Sequence, residues 1–514
     1  MRSVADAWSV EAYDTYRNVS QSTQISWKKA YSAAYRPFTI GVSAIGGGDG
    51  IASSGAITSD WNKYLYSNET DYVVSVEYER ALNMPLGGLH TGIANVVLDN
   101  TSGRFTPRVA GGTSELFTAQ KPRRPINITA GFDYSGINNL IPQFIGITSK
   151  TPEYSRRSAT VSLEATDFIG YLQNKYLDQT AMYTAKRSDE IIATLLTDLG
   201  FATAQYDLDY GINQIPFAMF EKGARFSDVI HELAQAENAH VYQDEEGLIK
   251  FENRQHWDNY PHFNVQRVLP TSMVIDAEIL GEDHIINVVE ISSQVREKQP
   301  TQVLWQLSGT IEVPALSNYE IFINFNDPVL QANRPSGYVA NTAANGSGTD
   351  ISSSVSVKSF DAFAQAAKLT LYNSNSVSAF LTNLVVTGRP AKVTSEVYYR
   401  EQRDLSVTAY EERPIKIDNP YIQNASWAQS YAGIILNDFA SGENLQQIKI
   451  RALPELQLGD LISWQGRHWR IYGIKTKVSS EDGFVQELAL LQRTIRTYFR
   501  VGISTIGGSD RVAP

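Results

Sequence analysis

Residues 468–493 read HWRIYGIKTKVSSEDGFVQELALLQR, and residues 142–167 read PQFIGITSKTPEYSRRSATVSLEATD. Each opens on an apolar run with a glycine inside it, Tyr472-Gly473-Ile474 in one and Ile145-Gly146-Ile147 in the other. Each then reaches a lysine, Lys477 or Lys150, and crosses a polar turn. Each returns as an apolar stretch, Val485-Gln486-Glu487-Leu488-Ala489 or Val161-Ser162-Leu163-Glu164-Ala165. The pattern predicts a strand, a hairpin and a second strand, with the glycine at a bulge or a close backbone approach. GIANVVLDN (92–100) and HIINVVEIS (284–292) also look alike as opening strands. Self-similarity of this kind decides the fold before any local propensity does. The expectation is a pair of related β-barrels in one chain.

The flanking sequence extends that reading. Val74, Val76 and Tyr78 alternate with Ser75, Glu77 and Glu79, the period of a half-buried strand. PINITAGF and its neighbours continue it, placing a first β-barrel over 69–175. In 187–200, RSDEIIATLLTDLG spaces Ile191, Leu195 and Leu199 along one helix face behind Ser188 as cap. FSDVIHELAQAENA repeats the pattern behind Ser227, with Ile230, Leu233 and Ala234 inward, and AHVYQDEEGLIKFEN reads as a hairpin. These make a small α/β domain over 176–280. The second barrel is expected from 281–304 and 393–492, where EVYYREQ and DLSVTAYE read as strands and SWAQSYAGIILNDFA as a helix. It is interrupted by a β-sandwich at 305–392, with a loop rich in glycine and serine. The fold class is therefore mainly β with a small α/β domain: two related β-barrels plus an inserted β-sandwich.

A second repeat lies at the two ends of the sequence. FTIGVSAIGGGDGIAS spans 38–53 and FRVGISTIGGSDRVAP spans 499–514. The first belongs to an N-terminal arm (1–68) and the second to a C-terminal docking strand (493–514). Both are short apolar strands ending in glycines, suited to adding onto an exposed sheet edge. The docking candidates are Ile40, Val42, Ile45, Gly46 and Gly47 in one, and Val501, Ile503, Ile506, Gly507 and Gly508 in the other. The other reading is that each completes a sheet within its own protomer.

Composition narrows the function class. With 514 residues, more than one core is needed, since a single core stops growing at roughly 250–300. There is no cysteine, so neither a disulfide nor a thiolate metal site contributes. No apolar run reaches the roughly 20 residues of a membrane span, and MRSVADAWSVEAYDTYR has no apolar centre of the kind a signal peptide needs. The net charge of −11 argues against nucleic-acid binding; the basic cluster Lys121, Arg123, Arg124 is short. Nucleic acid beside so acidic a chain is repelled rather than held. There is no HExxH, P-loop or GxSxG. His256, Asp258 and His262 stand in the densest histidine cluster but read as an aromatic-rich loop rather than metal ligands. No catalytic, cofactor or metal site is expected. A competing reading is carbohydrate or receptor binding by the inserted sandwich, with Trp305, Tyr319, Tyr338 and Tyr372 as contacts.

The stretches ERALNMPLGGLHTGIANVVLDNTSGRFTP (79–107), HVYQDEEGLIKFE (240–252) and PELQLGDLISWQGRHWRIYGIKTKVSSEDGFVQELAL (454–490) arrive in an order that resembles the minor tail proteins of long-tailed phages. That family is similar to tail-hub proteins and to the baseplate hub of contractile tails. The resemblance covers most of 69–492. It implies a homotrimeric structural protein of the virion, made in the host cytoplasm, that closes the tail tube at its host-facing tip. It implies as partners a ring of distal tail protein, the tape-measure protein and a central fibre or spike. DNA would pass through without specific binding, and the host envelope would be met indirectly. Some relatives add a C-terminal peptidase or lysozyme; a sequence ending at Pro514 implies none here.

Overall fold

The computed structural model describes residues 19–27, 65–106, 116, 119–134, 137–178, 180–258, 262–279, 284–441 and 445–493. Six strands of seven or more residues come first among the described residues: β1 (Val19–Ile25), β2 (Val73–Ala81), β3 (Ile93–Asp99), β4 (Pro125–Tyr134), β5 (Ile137–Thr148) and β6 (Thr160–Thr166). Alternation sends Val76 and Tyr78 of β2 inward while Glu77 and Glu79 stay half-buried. The spatial order is β2–β3–β6–β5–β4–β1. One core, including Ile25, Tyr78, Val96, Ile128, Phe144 and Leu163, collects inward side chains of all six strands, so the sheet curls around it. β1 comes from the segment read as an arm. It pairs with β4 from Val19↔Phe132 to Ile25↔Ile126, and Trp27 just beyond it is buried with its indole donating to Glu69 at 2.9 Å.

The α/β elements follow: α1 (Ser188–Asp198), α2 (Phe226–Gln235), β7 (His240–Gln243) and β8 (Ile249–Glu252). The expected inward residues Ile191, Leu195, Ile230, Leu233 and Ala234 are all buried. Neither serine is the cap. Ser188 and Ser227 lie inside the first turn and are buried, and the Glu190 carboxylate instead accepts the Arg187 amide at 3.0 Å.

Beyond them lie β9 (Val274–Ile279), β10 (Val288–Lys298), β11 (Val385–Gln402), β12 (Pro414–Asp418), α3 (Ala425–Phe439), β13 (Leu445–Arg451), β14 (Leu461–Trp464), β15 (Arg467–Ser479) and β16 (Gly483–Arg493). Strands β9–β13–β16–β15–β14 are neighbours in that order. Taken in sequence, β2, β3, β4, β5, β6 form one set and β9, β13, β14, β15, β16 the other. Each set lies in the spatial order first, second, fifth, fourth, third. The duplication is therefore one of topology. The second set curls around its own core, with Trp469, Ile471, Phe484, Leu488 and Leu490. The two sets are joined side by side through β2 and β15 in one 14-stranded sheet.

Two strand readings change. HIINVVEIS does not open the second unit: β10 pairs with β11 and β12 in a separate sheet, and the opening strand is β9, VIDAEI. Val288, Val289 and Ile291 are buried in that separate sheet, Val289 and Ile291 in the core shared with α3 and the α/β elements, and the same burial pressure produced the likeness to β3. DLSVTAYE is a short helix, Asp404–Tyr410, and not a strand.

The inserted stretch has its own core, including Val313, Ile323, Leu369, Leu371 and Leu381. It is not bounded at 392. The 18-residue β11 pairs with Gln302–Gln306 by its first residues and with β10 by its last.

Candidate functional site

The duplicated units meet at a seam. β2 and β15 pair antiparallel from Ser75↔Ser479 to Ala81↔Gly473. On the outer face Glu77 stands opposite Lys477 and Glu79 opposite Lys475, and Lys475 Nζ reaches Glu77 at 3.2 Å. An acidic first strand thus meets a basic fourth strand, each charge on the pleat side away from the cores.

Beneath the seam, buried polar groups tie three parts of the chain. Arg80 of β2 is ion-paired with Glu245 of the β7–β8 turn, and Glu245 accepts from Gln457 Nε2 at 2.6 Å. Both members of the ion pair are at most 4% exposed. Gln143 of β5 donates to the Pro454 carbonyl at 2.9 Å and accepts from the Tyr78 hydroxyl at 3.2 Å. Gln243 of β7 accepts from the Phe168 amide at 2.8 Å and donates to the Ile145 carbonyl at 2.7 Å. Such groups fix one register, because a slipped arrangement strands them unpaired in a low dielectric.

Both signature glycines sit on the fourth strand of their unit. A Cβ on Gly146 would lie 2.3 Å from the Thr166 carbonyl oxygen, so close approach is its reason. Gly473 pairs with Ala489 beside a register shift at Ile471/Gly473, so it marks a bulge. The likeness of Val161 to Val485 is one residue out of step. Val161, Leu163 and Ala165 face the first core, whereas Phe484, Leu488 and Leu490 face the second.

The candidate residues fall elsewhere. Ile40, Val42, Ile45, Gly46, Gly47, Val501, Ile503, Ile506, Gly507 and Gly508 lie outside the described residues. Trp305, Tyr319, Tyr338 and Tyr372 do not share a surface. Trp305 and Tyr338 pack against the insert core, with the Tyr338 hydroxyl donating to the Val355 carbonyl at 2.7 Å. Tyr319 lies opposite Leu371 and Tyr372 opposite Asn318, which puts the two tyrosines on opposite faces of one sheet. His256 is held by Asp209 at 2.8 Å and lies beside His262, with ring centres 4.6 Å apart and the rings tilted by 41°. Burial lowers the His256 pKa, but the Asp209 hydrogen bond and nearby Glu252 outweigh it and raise it overall; burial and His256 push His262 down to about 4. Among the described residues no group of three or more His, Asp or Glu side chains is placed to hold a metal ion, and no helix is long and apolar enough to cross a membrane.

Sequence reasoning missed Arg80, Glu245 and the acidic strand β9. The signal for β9 was present in VIDAEI: Asp276 and Glu278 on one side of a short strand, as Glu77 and Glu79 are on β2.

No protein-family model and no curated protein matches the chain. Solved structures do. A tail protein from Neisseria meningitidis MC58 aligns over 93% of this chain and 98% of its own, with TM-score 0.47 and 9% identity. The 43 kDa tail protein of prophage MuSo2 from Shewanella oneidensis aligns over 84% and 95%, with TM-score 0.43 and 8% identity. Prophage tail protein gp18 from Listeria monocytogenes EGD-e aligns over 84% and 92%, with TM-score 0.39 and 10% identity. These three solved structures to which the chain is similar are all tail proteins.

Proposed function

We propose that this chain is a structural, non-catalytic hub at the tip of a phage tail, acting as a trimer that adapts a sixfold ring to a threefold tip. The observation that carries this reading is the repeated strand order of the two units, set side by side in one sheet. Three such chains offer six like units, and a closed ring of repeated contacts avoids open-ended assembly. A single binding or catalytic site has no use for such a duplication. In this reading the ring partner is a distal tail protein, the lumen holds the end of a tape-measure protein until it and DNA leave, and a fibre or spike stands below. The segments 38–53 and 499–514 dock on equivalent edges of the sixfold partner. The net charge of −11 suits a passage that DNA must leave without sticking. The carbohydrate-binding alternative gains nothing from the four separated aromatics.

The test is the mass of the purified chain in solution by light scattering or native mass spectrometry. The expected value is three times that of the chain. A monomer at every concentration, or a stable dimer, overturns the hub reading.

A further inference from the structure

The seam between the units leaves two matching edges unused. Among the described residues β9 ends the sheet and pairs only with β13. Its residues from Ile275 to Glu278 are exposed, Ile275 at 54%. Asp276 and Glu278 stand opposite Lys449 and Gln447 of β13, hence on the same side of the pleat as each other, and neither forms an ion pair among the described residues. β9 is the first strand of the second unit, as β2 is of the first. β2 is covered by the fourth strand of the other unit; β9 is not.

The complementary edge is the fourth strand of the first unit. Beyond Thr148 the chain leaves β4, bends at Ser149 and Lys150 and resumes as the short strand Glu153–Ser155, which pairs with β6 and with nothing on its other side among the described residues. Lys150 holds the place of Lys477: each is the fourth residue after its signature glycine. Its side chain is 49% exposed and reaches Glu153 and Glu164. Arg156 and Arg157, both exposed, follow in the hairpin turn. Pro152 interrupts the edge, as edge strands open to wrong pairing commonly are.

We infer that β9 of one copy pairs antiparallel with the Lys150–Ser155 edge of the next, repeating between chains the β2–β15 seam within the chain. Asp276 and Glu278 then face Lys150, as Glu77 and Glu79 face Lys477 and Lys475. The outer neighbour of the third strand is already filled in both units, by β1 beside β4 and by Arg267–Val268 beside β14. First-to-fourth contact is therefore the junction left to repeat. Three copies close it into a ring of six units with no first strand exposed.

This inference rests on the trimeric reading, and the experiment separates the two. The chain has no cysteine, so an introduced pair reports on itself alone. Lys150→Cys is combined with Asp276→Cys, and separately with Glu278→Cys; directly opposed strand residues are close enough to oxidise. All three sites are on the surface, so folding is expected to survive, as circular dichroism checks. The expected result is that at least one double variant gives covalent dimer and trimer on non-reducing gels and that none of the three single variants gives covalent trimer. As a second reading, Lys150→Glu weakens the trimer at least tenfold in dissociation constant, and Asp276→Lys with Glu278→Lys restores it. A particle of trimeric mass that neither pair cross-links, and whose assembly ignores the reversals, overturns the strand assignment and leaves the hub reading intact. A monomeric wild type overturns both.

Discussion

Glu77 and Lys477 stand directly opposite each other in the ladder that joins the duplicated units, with Lys475 one step along reaching the same carboxylate. Their side chains are partly exposed, so solvent screens the pair and its worth is modest. Lys477→Glu is expected to destabilise the folded chain by up to about 1 kcal/mol, and Glu77→Lys in the same chain to recover only part of it, since Lys477 also holds Asp482. Urea unfolding of the four members of the cycle measures this; no coupling between the sites would show that the seam does not depend on its charges.

The buried pair beneath behaves differently. Glu245→Ala leaves the Arg80 guanidinium buried without its carboxylate and removes the Gln457 acceptor. The expected loss is about 3–5 kcal/mol, seen as a lowered urea midpoint. A loss below about 1 kcal/mol would mean that water reaches Arg80.

Two glycines make opposite predictions. Gly146→Ala forces a methyl against the Thr166 backbone and should cost about 1–3 kcal/mol. Gly433 lies inside α3 with open space where a Cβ would go. Gly433→Ala should therefore stabilise by about 0.5–1 kcal/mol. Paired thermal melts decide both signs.

Glu237 supplies a pH dependence. It is fully buried, and burial raises its pKa to about 7, although the Ile212 and Asn213 amides donate to it. A carboxyl with a folded pKa above its unfolded value binds more protons when folded. Its contribution is complete below the unfolded pKa and is lost as pH rises toward about 7. Glu237→Gln keeps an acceptor for those amides and cannot ionise. The variant is expected to show a flatter decline of melting temperature between pH 5 and 8 than the parent; parallel curves would refute the assignment.

Much of the fold was legible because strand alternation and helical spacing are local. The α/β helices, their inward residues and the β7–β8 hairpin follow from such patterns. The duplication was visible through the glycines, which mark a close backbone approach at Gly146 and a bulge at Gly473, and through the lysines, of which Lys477 faces the acidic strand β2. What sequence could not give was which distant strand opens the second unit. β9 and β13 are neighbours in space but separated by the whole insertion, and HIINVVEIS offered a better match by apolar content alone. The slip between Val161 and Val485 has the same root: a one-residue offset changes the face but barely changes the text. Glu245 was hidden for a different reason. In DEEG it reads as one turn carboxylate among several, and only the approach of β2 from far away in sequence buries it.

The long strand β11 has a mechanical consequence. Eighteen extended residues span about 60 Å at roughly 3.3 Å each, running from the inserted module to the sheet that packs on α3. The module is thus carried on a stiff beam rather than on a tether.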